Sequence, residues 1–267
     1  MNKLRELYSI PQHPQRSKEW FDQRKNKLTS SDAGTALGIN PYQKPVELLF
    51  KKCGAGKDFI GNEATLYGQK YEEEAIEMYC KAMGKKNHEF GLISWDEVDR
   101  TNDHHALDNY PNGISWMAGS TDGIAEDLKN YEDLIVLEVK CPYRRKIVYG
   151  KCPKYYYPQV QLNMAILNIE KADFIEYKPS KGNQPMELNI VRIHRDRDWF
   201  DRNVKILDDF WKDVEYWRSR DIKEHPEFWK YHRKSLDLDT GSCEIMYHDS
   251  KKLRTSMFID DSDTDTD

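Results

Sequence analysis

Paired cysteines, long apolar runs and a surplus of positive charge are all scarce in these 267 residues. The five cysteines (Cys53, Cys80, Cys141, Cys152, Cys243) are odd in number and form no C-x-x-C pair. That argues against a disulfide framework and against a zinc or iron–sulfur site, so they read as reduced thiols. No run approaches the ~20 apolar residues that cross a bilayer, and the opening MNKLRELYSIPQHPQ lacks the apolar centre of a secretory signal. The expectation is a soluble, unsecreted intracellular protein of the cytoplasm or nucleus, with no membrane contact. Net charge is −5, matched by five aspartates in the last eight residues, so the preceding chain is balanced. An anionic partner must therefore be held by local basic groups, because the body has no overall positive field.

What the chain does have is bulk for a core: 7 Trp, 16 Tyr and 9 Phe in a sequence 38% apolar and 33% charged. Wholesale disorder is excluded, and only the tail DDSDTDTD (260–267) reads as a solvated, disordered end. Ser17 is placed to cap a short helix to about Lys25, with Trp20 and Phe21 inward. A second helix is expected from Ser30/Ser31 to Gly38, and a third is opened by Pro45. Residues 67–83 carry Tyr71, Ala75, Met78 and Tyr79 at helical spacing, with Glu72 on or beside the apolar face and Gly84 as the stop. Two strand-like runs, 116–127 and 133–143, suggest a hairpin, with Gly123 letting the backbone turn. A helix from Pro158 to about Asn168, strands near 173–177 and 188–193, and a long amphipathic helix from Asp196 to about Arg218 complete the pattern.

The chemistry concentrates in the hairpin. Side chains alternate along a strand, so in Leu134-Ile135-Val136-Leu137-Glu138-Val139-Lys140 the residues Glu138 and Lys140 share a face with Val136. Burying them without partners would cost several kcal/mol, which an exposed edge strand would avoid. Asp122, in Ser120-Thr121-Asp122-Gly123, ends the preceding run, and pairing the two strands sets it beside Glu138. Two such carboxylates repel unless a cation lies between them. Hard oxygen ligands suit Mg²⁺, with Glu72 available as a third. An ion there would lower the pKa of a bound water for phosphodiester hydrolysis, while Lys140 orients the water or holds the phosphate. The eight histidines form no metal pattern, and no nucleophile–base pair of comparable context appears.

Asp122 followed by Glu138-Val139-Lys140 resembles the D…(D/E)-x-K signature of the PD-(D/E)xK nuclease superfamily. The ordered words Arg16-Ser17-Lys18-Glu19-Trp20 with Arg24, Thr29-Ser30-Ser31-Asp32, Leu37-Gly38-Ile39-Asn40-Pro41-Tyr42, Gly68-Gln69-Lys70-Tyr71-Glu72, Ser120-Thr121-Asp122-Gly123, Leu137 to Tyr143, and Pro158-Gln159-Val160-Gln161 resemble one branch of it. That branch is the phage lambda exonuclease/YqaJ-like viral recombinase family, and the words span residues 14–178. The resemblance implies an α/β restriction-endonuclease-like core, a mixed β-sheet flanked by α-helices, with a helical C-terminal extension. It implies Glu72, Asp122 and Glu138 as metal ligands, the Val139 carbonyl as a backbone ligand, Lys140 as the catalytic lysine and Gln159 as the glutamine supporting it. Arg24, Ser31 and Ser120 match the family's 5′-phosphate pocket. Thr121 stands where the family commonly has proline, so the local turn is expected to differ.

The expected domains are a single nuclease domain over 1–220, an extension over 221–259 and the acidic tail. The expected activity is a Mg²⁺-dependent 5′→3′ exonuclease, with Mn²⁺ as substitute and two ions per site. It would act on linear double-stranded DNA and leave 3′ overhangs for recombination or repair. Arg144, Arg145 and Lys146, with tyrosines interleaved, are candidates for a DNA path. By resemblance the partners are DNA ends, two further copies in a trimeric ring and a single-strand annealing protein. Two alternatives remain open: a structure-selective endonuclease on the same core, and a non-catalytic DNA-binding or assembly protein.

Overall fold

The computed structural model describes residues 3–56, 61–131 and 133–233. Cys243 and the acidic tail lie outside the described residues, and none of the four described cysteines is in a disulfide.

The chain opens with α1 (Lys3–Ser9) and α2 (Lys18–Lys25), the latter capped by Ser17, whose hydroxyl accepts from the Trp20 amide at 3.2 Å. Trp20 is buried, but Phe21 is 51% exposed, contrary to expectation. Neighbouring helical positions point about 100° apart, so they cannot share one narrow inward stripe. Next come β1 (Leu28–Thr29), a 3₁₀ turn (Ser30–Asp32), α3 (Ala33–Ala36) and α4 (Pro45–Lys52). The cap of the second helical segment is Thr29, whose hydroxyl lies 2.7 Å from Asp32 Oδ2, and Gly38 ends it at φ 72°. α5 (Glu63–Met83) starts four residues before the apolar periodicity does, because Asn62 Oδ1 accepts from the Thr65 amide at 3.0 Å and closes an extra turn. Gly84 stops it at φ 63°.

β2 (Lys85–His88), β3 (Ile93–Ser94) and α6 (His104–Asn109) follow, too short and polar to announce themselves. Then come β4 (Met117–Gly119), β5 (Gly123–Asp127), β6 (Leu134–Lys140), α7 (Tyr157–Leu167), β7 (Lys171–Lys178), β8 (Glu187–His194) and α8 (Arg197–Arg218). Five strands form a mixed sheet in the order β2-β5-β6-β7-β8, with β6 and β7 parallel and the other pairs antiparallel. A smaller sheet has the order β1-β4-β3.

The expected single strand over 116–127 is therefore two strands in two sheets, broken at Ser120–Asp122. The Thr121 hydroxyl secures the break by donating to the Leu137 carbonyl at 2.6 Å. Gly123 is not a turn glycine as expected. It is needed because the Asn87 side chain fills the space beside it: a Cβ there would lie 2.0 Å from Asn87 Oδ1.

Strand β6 is the centre of the larger sheet, and its alternation decides what each face does. Ile135, Leu137 and Val139 join a core with Ala75 and Tyr79 of α5. Val136, on the other face, joins a core with Val160 and Met164 of α7 and Leu7 of α1. Glu138 continues this second face. The chain divides into two units, 1–216 and 217–267. The described part of the second holds the end of α8, a 3₁₀ turn (Ile222–Glu224) and helical residues 228–233.

Gly123→Ala is expected to cost ~1–3 kcal/mol in a denaturant melt, as overpacking does, and adding Asn87→Ala is expected to recover most of it.

Candidate active site

The paired strands β5 and β6 place Asp122 and Glu138 side by side. The register runs Gly123 opposite Leu137, and the Asp122 amide donates to the Leu137 carbonyl at 3.2 Å. Asp122 Oδ2 accepts the Val139 amide at 2.6 Å, which orients the carboxylate at the end of the pair. Its Oδ1 has no hydrogen bond among the described residues. Glu138 is fully buried, and its partners are the Lys140 ammonium on Oε1 and the Asn163 amide on Oε2 at 3.1 Å. The Lys140 Nζ also lies 5.2 Å from the centre of the Tyr156 ring. Because β6 is a central strand, the edge-strand explanation of this Glu–Lys pair does not hold.

Burial pushes the Glu138 carboxyl up, to about 7, with Asp122 and Glu72 adding to the rise against the opposing pull of Lys140. For Lys140, burial favours the neutral amine, but Glu138 and Asp122 outweigh it and hold the ammonium charged. Glu72 sits in the third turn of α5. Burial and the Asp122 charge push its carboxyl up, while Arg16, at 2.9 Å, draws it down. A cleft of about 340 Å³ runs past Glu72, Val139, Lys140, Tyr143 and Tyr156, and a second, of about 1010 Å³, runs past Glu72, Asp122 and Arg16.

Three mutually repelling carboxylates of hard oxygen character are a fit for a divalent cation, and the open Oδ1 of Asp122 faces no protein donor. The donors are not preassembled as a cage: among the described residues no three His, Cys, Asp or Glu side chains form a ready metal-binding group. Each carboxylate is instead engaged by a cation or an amide of the chain.

Two residues before Asp122, a second constellation begins. Ser120 Oγ accepts from the Trp20 indole at 3.3 Å, and the Arg24 guanidinium stacks 4.4 Å from the centre of that indole ring. Arg24 donates to Ser31 at 2.7 Å and to Thr29 at 3.2 Å. The structure thus gathers Arg24, Ser31 and Ser120 round one tryptophan. Beneath them, Asp32 pairs with Lys52 at 2.7 Å, and Lys52 donates to the carbonyls of Arg24 and Lys27 at 2.9 and 2.7 Å. Burial works to raise Asp32, but Lys52 and Arg24 prevail and hold it below the usual carboxylate range.

Not every expected residue joins these two groups. Gln159, half-buried on the first turn of α7, has no hydrogen bond to Lys140 or to Glu138 among the described residues. The amide that reaches Glu138 is that of Asn163, one turn on, which the sequence reading missed. Its signal was an amide inside a helix that is apolar on nearly every side. Arg145 is tied to the buried Glu176, so of the candidate DNA-path cations only Arg144 and Lys146 face water.

The five-stranded mixed sheet whose central strand pair ends in an Asp and a Glu-x-Lys defines a protein of the PD-(D/E)xK type. A profile of the YqaJ-like viral recombinase domain matches residues 19–170, and the chain belongs to that family. The fold resembles an alkaline exonuclease (LHK-Exo) from Laribacter hongkongensis, with TM-score 0.56 and 22% identity over 83% of this chain and 100% of that one. Its complex with dAMP gives TM-score 0.58 and 23% identity over the same shares. Among viral relatives, the uncharacterized protein R354 of Acanthamoeba polyphaga mimivirus is 29% identical over 178 residues, which is 64% of this chain and 30% of the relative. Protein D345L of African swine fever virus (isolate Tick/Malawi/Lil 20-1/1983) is 26% identical over 167 residues, 57% of this chain and 46% of the relative. The chain thus spans less than half the length of these relatives.

Lys52→Met is expected to destabilise the fold by ~3 kcal/mol at neutral pH, because it leaves Asp32 buried without its cation. A carboxyl depressed in the folded state contributes stability above its unfolded value, 3.8 here, and loses it as pH falls through the lower folded value. The deficit of the variant should therefore shrink in acid, as chemical melts across pH will show.

Proposed function

We propose that the chain is a metal-dependent deoxyribonuclease that degrades one strand of linear duplex DNA from its 5′ end and leaves a 3′ overhang for recombination or repair. The observation that carries this reading is the placement of Asp122, Glu138 and Lys140 at one strand end, two residues from the Arg24–Ser31–Ser120 group. Membership of a recombinase family and likeness to an exonuclease fold support it.

Asp122 and Glu138, with the Val139 carbonyl, would hold Mg²⁺, for which Mn²⁺ would substitute, and Glu72 stands beside them. When bound, the ion supplies an acidified water and neutralises charge on the phosphorane-like transition state. Lys140, held charged, orients that water and the scissile phosphate. Asn163 fixes the second oxygen of Glu138. The Arg24 fork, with the Ser31 and Ser120 hydroxyls, would take the terminal 5′-phosphate, a dianion matched by a stacked guanidinium. The DNA-path role of Arg144 and Lys146, the ring assembly and an annealing partner belong to the same proposal.

The test is hydrolysis of end-labelled linear duplexes bearing a 5′-phosphate or a 5′-hydroxyl, beside a covalently closed circle. Stepwise release from the 5′ end, faster with phosphate and absent on the circle, is expected. Cutting of the circle would replace this reading with an endonuclease, and binding without cleavage in Mg²⁺ or Mn²⁺ with a non-catalytic protein. Asp122→Asn is expected to lower hydrolysis by about 10²–10⁴-fold with circular dichroism unchanged, and Lys140→Ala by as much but with a lower denaturation midpoint, because it leaves Glu138 buried without its cation. Chelation should abolish hydrolysis, and added Mg²⁺ restore it.

A further inference from the structure

Glu176 is a second fully buried carboxylate, and the chemistry proposed above does not use it. It stands opposite Lys140 in the parallel register of β6 and β7, on a face of β7 that Ala172 and Phe174 otherwise make apolar. Its Oε1 accepts from the Arg145 guanidinium, and its Oε2 from the Asn189 amide at 3.0 Å. Asn189, opposite Glu176 in the register of β7 and β8, accepts the Gly150 amide on Oδ1 at 3.0 Å. Arg145 and Gly150 both belong to the segment 141–156, which joins β6 to α7.

That segment holds no helix or strand, and a connection of this length without structure of its own is uncommon unless it has a function. It carries five bases, Arg144, Arg145, Lys146, Lys151 and Lys154, and no acid, in a chain that is acidic overall. Glu176 takes Arg145, and the other four are exposed. Arg144 lies 3.8 Å from Glu63, but both side chains are open to water, so the pair leaves the guanidinium available to another anion. Tyr143 and Tyr149 are exposed among these bases, and Tyr143 also walls the smaller cleft beside Lys140. Apart from the Glu176 anchor, the segment is fastened by the buried Ile147 and by a turn in which the Lys151 amide donates to the Val148 carbonyl at 3.2 Å, with Gly150 at φ 70°.

A buried ion pair is weak ground for stability, since apolar residues of like volume replace it with little loss or with gain. What the Glu176 pair does supply is a fixed position for two points of a basic segment that has no ladder of its own. Resting on the nuclease reading above, we propose that Glu176 is a positioning residue for DNA: through Arg145 and Asn189 it holds the segment 141–156 as a rigid platform on which Arg144 and Lys146 take the phosphate backbone of the duplex. The charge of the platform matches that partner, and a platform held in place binds without first losing the freedom of a loose loop.

The test follows binding of the full chain to a fluorescein-labelled duplex by anisotropy without divalent ions, beside steady-state hydrolysis. Glu176→Leu combined with Arg145→Met leaves no lone buried charge, so its denaturation midpoint is expected at or above that of the wild type. Its Kd and KM are expected to rise about tenfold near physiological salt, and the slope of log affinity against log salt to fall by about 2, as for Arg144→Gln combined with Lys146→Gln. Its kcat is expected to stay, because Lys140 is held by Glu138. All four substitutions together are expected to weaken binding by less than about twofold beyond either pair, because the anchor acts through those two bases. Asn189→Ala, which frees Gly150 and keeps the ion pair, is expected to give a smaller rise of the same kind. An unchanged Kd, full additivity of the two pairs, or a fall in kcat at constant KM would overturn the proposal. A wild type that binds the duplex without cleaving it would overturn the nuclease reading while the anisotropy still decides this one, and a wild type that does not bind would overturn both.

Discussion

A carboxylate buried in the middle of an apolar sheet is the constraint on which the rest of this structure depends. An unpaired ion at Glu138 would cost several kcal/mol, and β6 cannot relieve it by moving to an edge. The relief comes from three directions: Lys140 two residues along the same face, Asn163 from the helix that covers that face, and the strand end itself. The requirement spreads outward from there. Asn163 fits only because Gly119 of the smaller sheet has no side chain, since a Cβ there would stand 2.8 Å from Asn163 Oδ1. One acidic residue thus fixes an amide in α7 and a glycine in β4, two elements remote from it in sequence.

The cationic group round Trp20 is built in the same manner. Arg24 is presented by a helix of eight residues, too short to be stable alone. What holds its end is the Lys52 ammonium, which donates to the carbonyls of Arg24 and Lys27 and pairs with Asp32. The Arg24–Ser31–Ser120 group and the carboxylate cluster therefore rest on separate buried ion pairs, Lys52–Asp32 and Lys140–Glu138, and are joined along the chain through Ser120–Asp122.

Much of this was legible in the sequence because the signals were periodic or chemical. The alternation in 134–140 foretold which residues would share a face, and the caps Ser17, Pro45 and Gly84 marked helix ends that the structure keeps. Motif order gathered Arg24, Ser31 and Ser120 before any coordinates did. The misses have physical causes. Asn62 caps a turn that carries no apolar repeat, so α5 began earlier than its pattern. Residues 116–127 read as one strand because hydropathy does not record a change of sheet. Phe21 looked inward only because an aromatic beside Trp20 invites that reading. Gly123 was read as a turn, whereas its reason is the side chain of Asn87, which pairs into the sheet from a strand too polar to be foreseen. Gln159 was expected to support Lys140, and no partner was foreseen for the second oxygen of Glu138, which the Asn163 amide takes, because spacing along a helix does not say which amide reaches across to a strand.

The break between β4 and β5 has a further meaning for a protein that would hold a DNA end and cut near it. The holding residues end at Ser120 and the carboxylates begin at Asp122, and the Thr121 hydroxyl, anchored on the Leu137 carbonyl, clamps the residue between them. Those three residues form a spacer of fixed length between Ser120 and Asp122, and Arg24 and Ser31 are set against it through Trp20. On the proposed reading, the number of nucleotides removed per step is a property of that spacer. Evolution could then retune end recognition or hydrolysis separately, while a single inserted residue at the joint would change the stride.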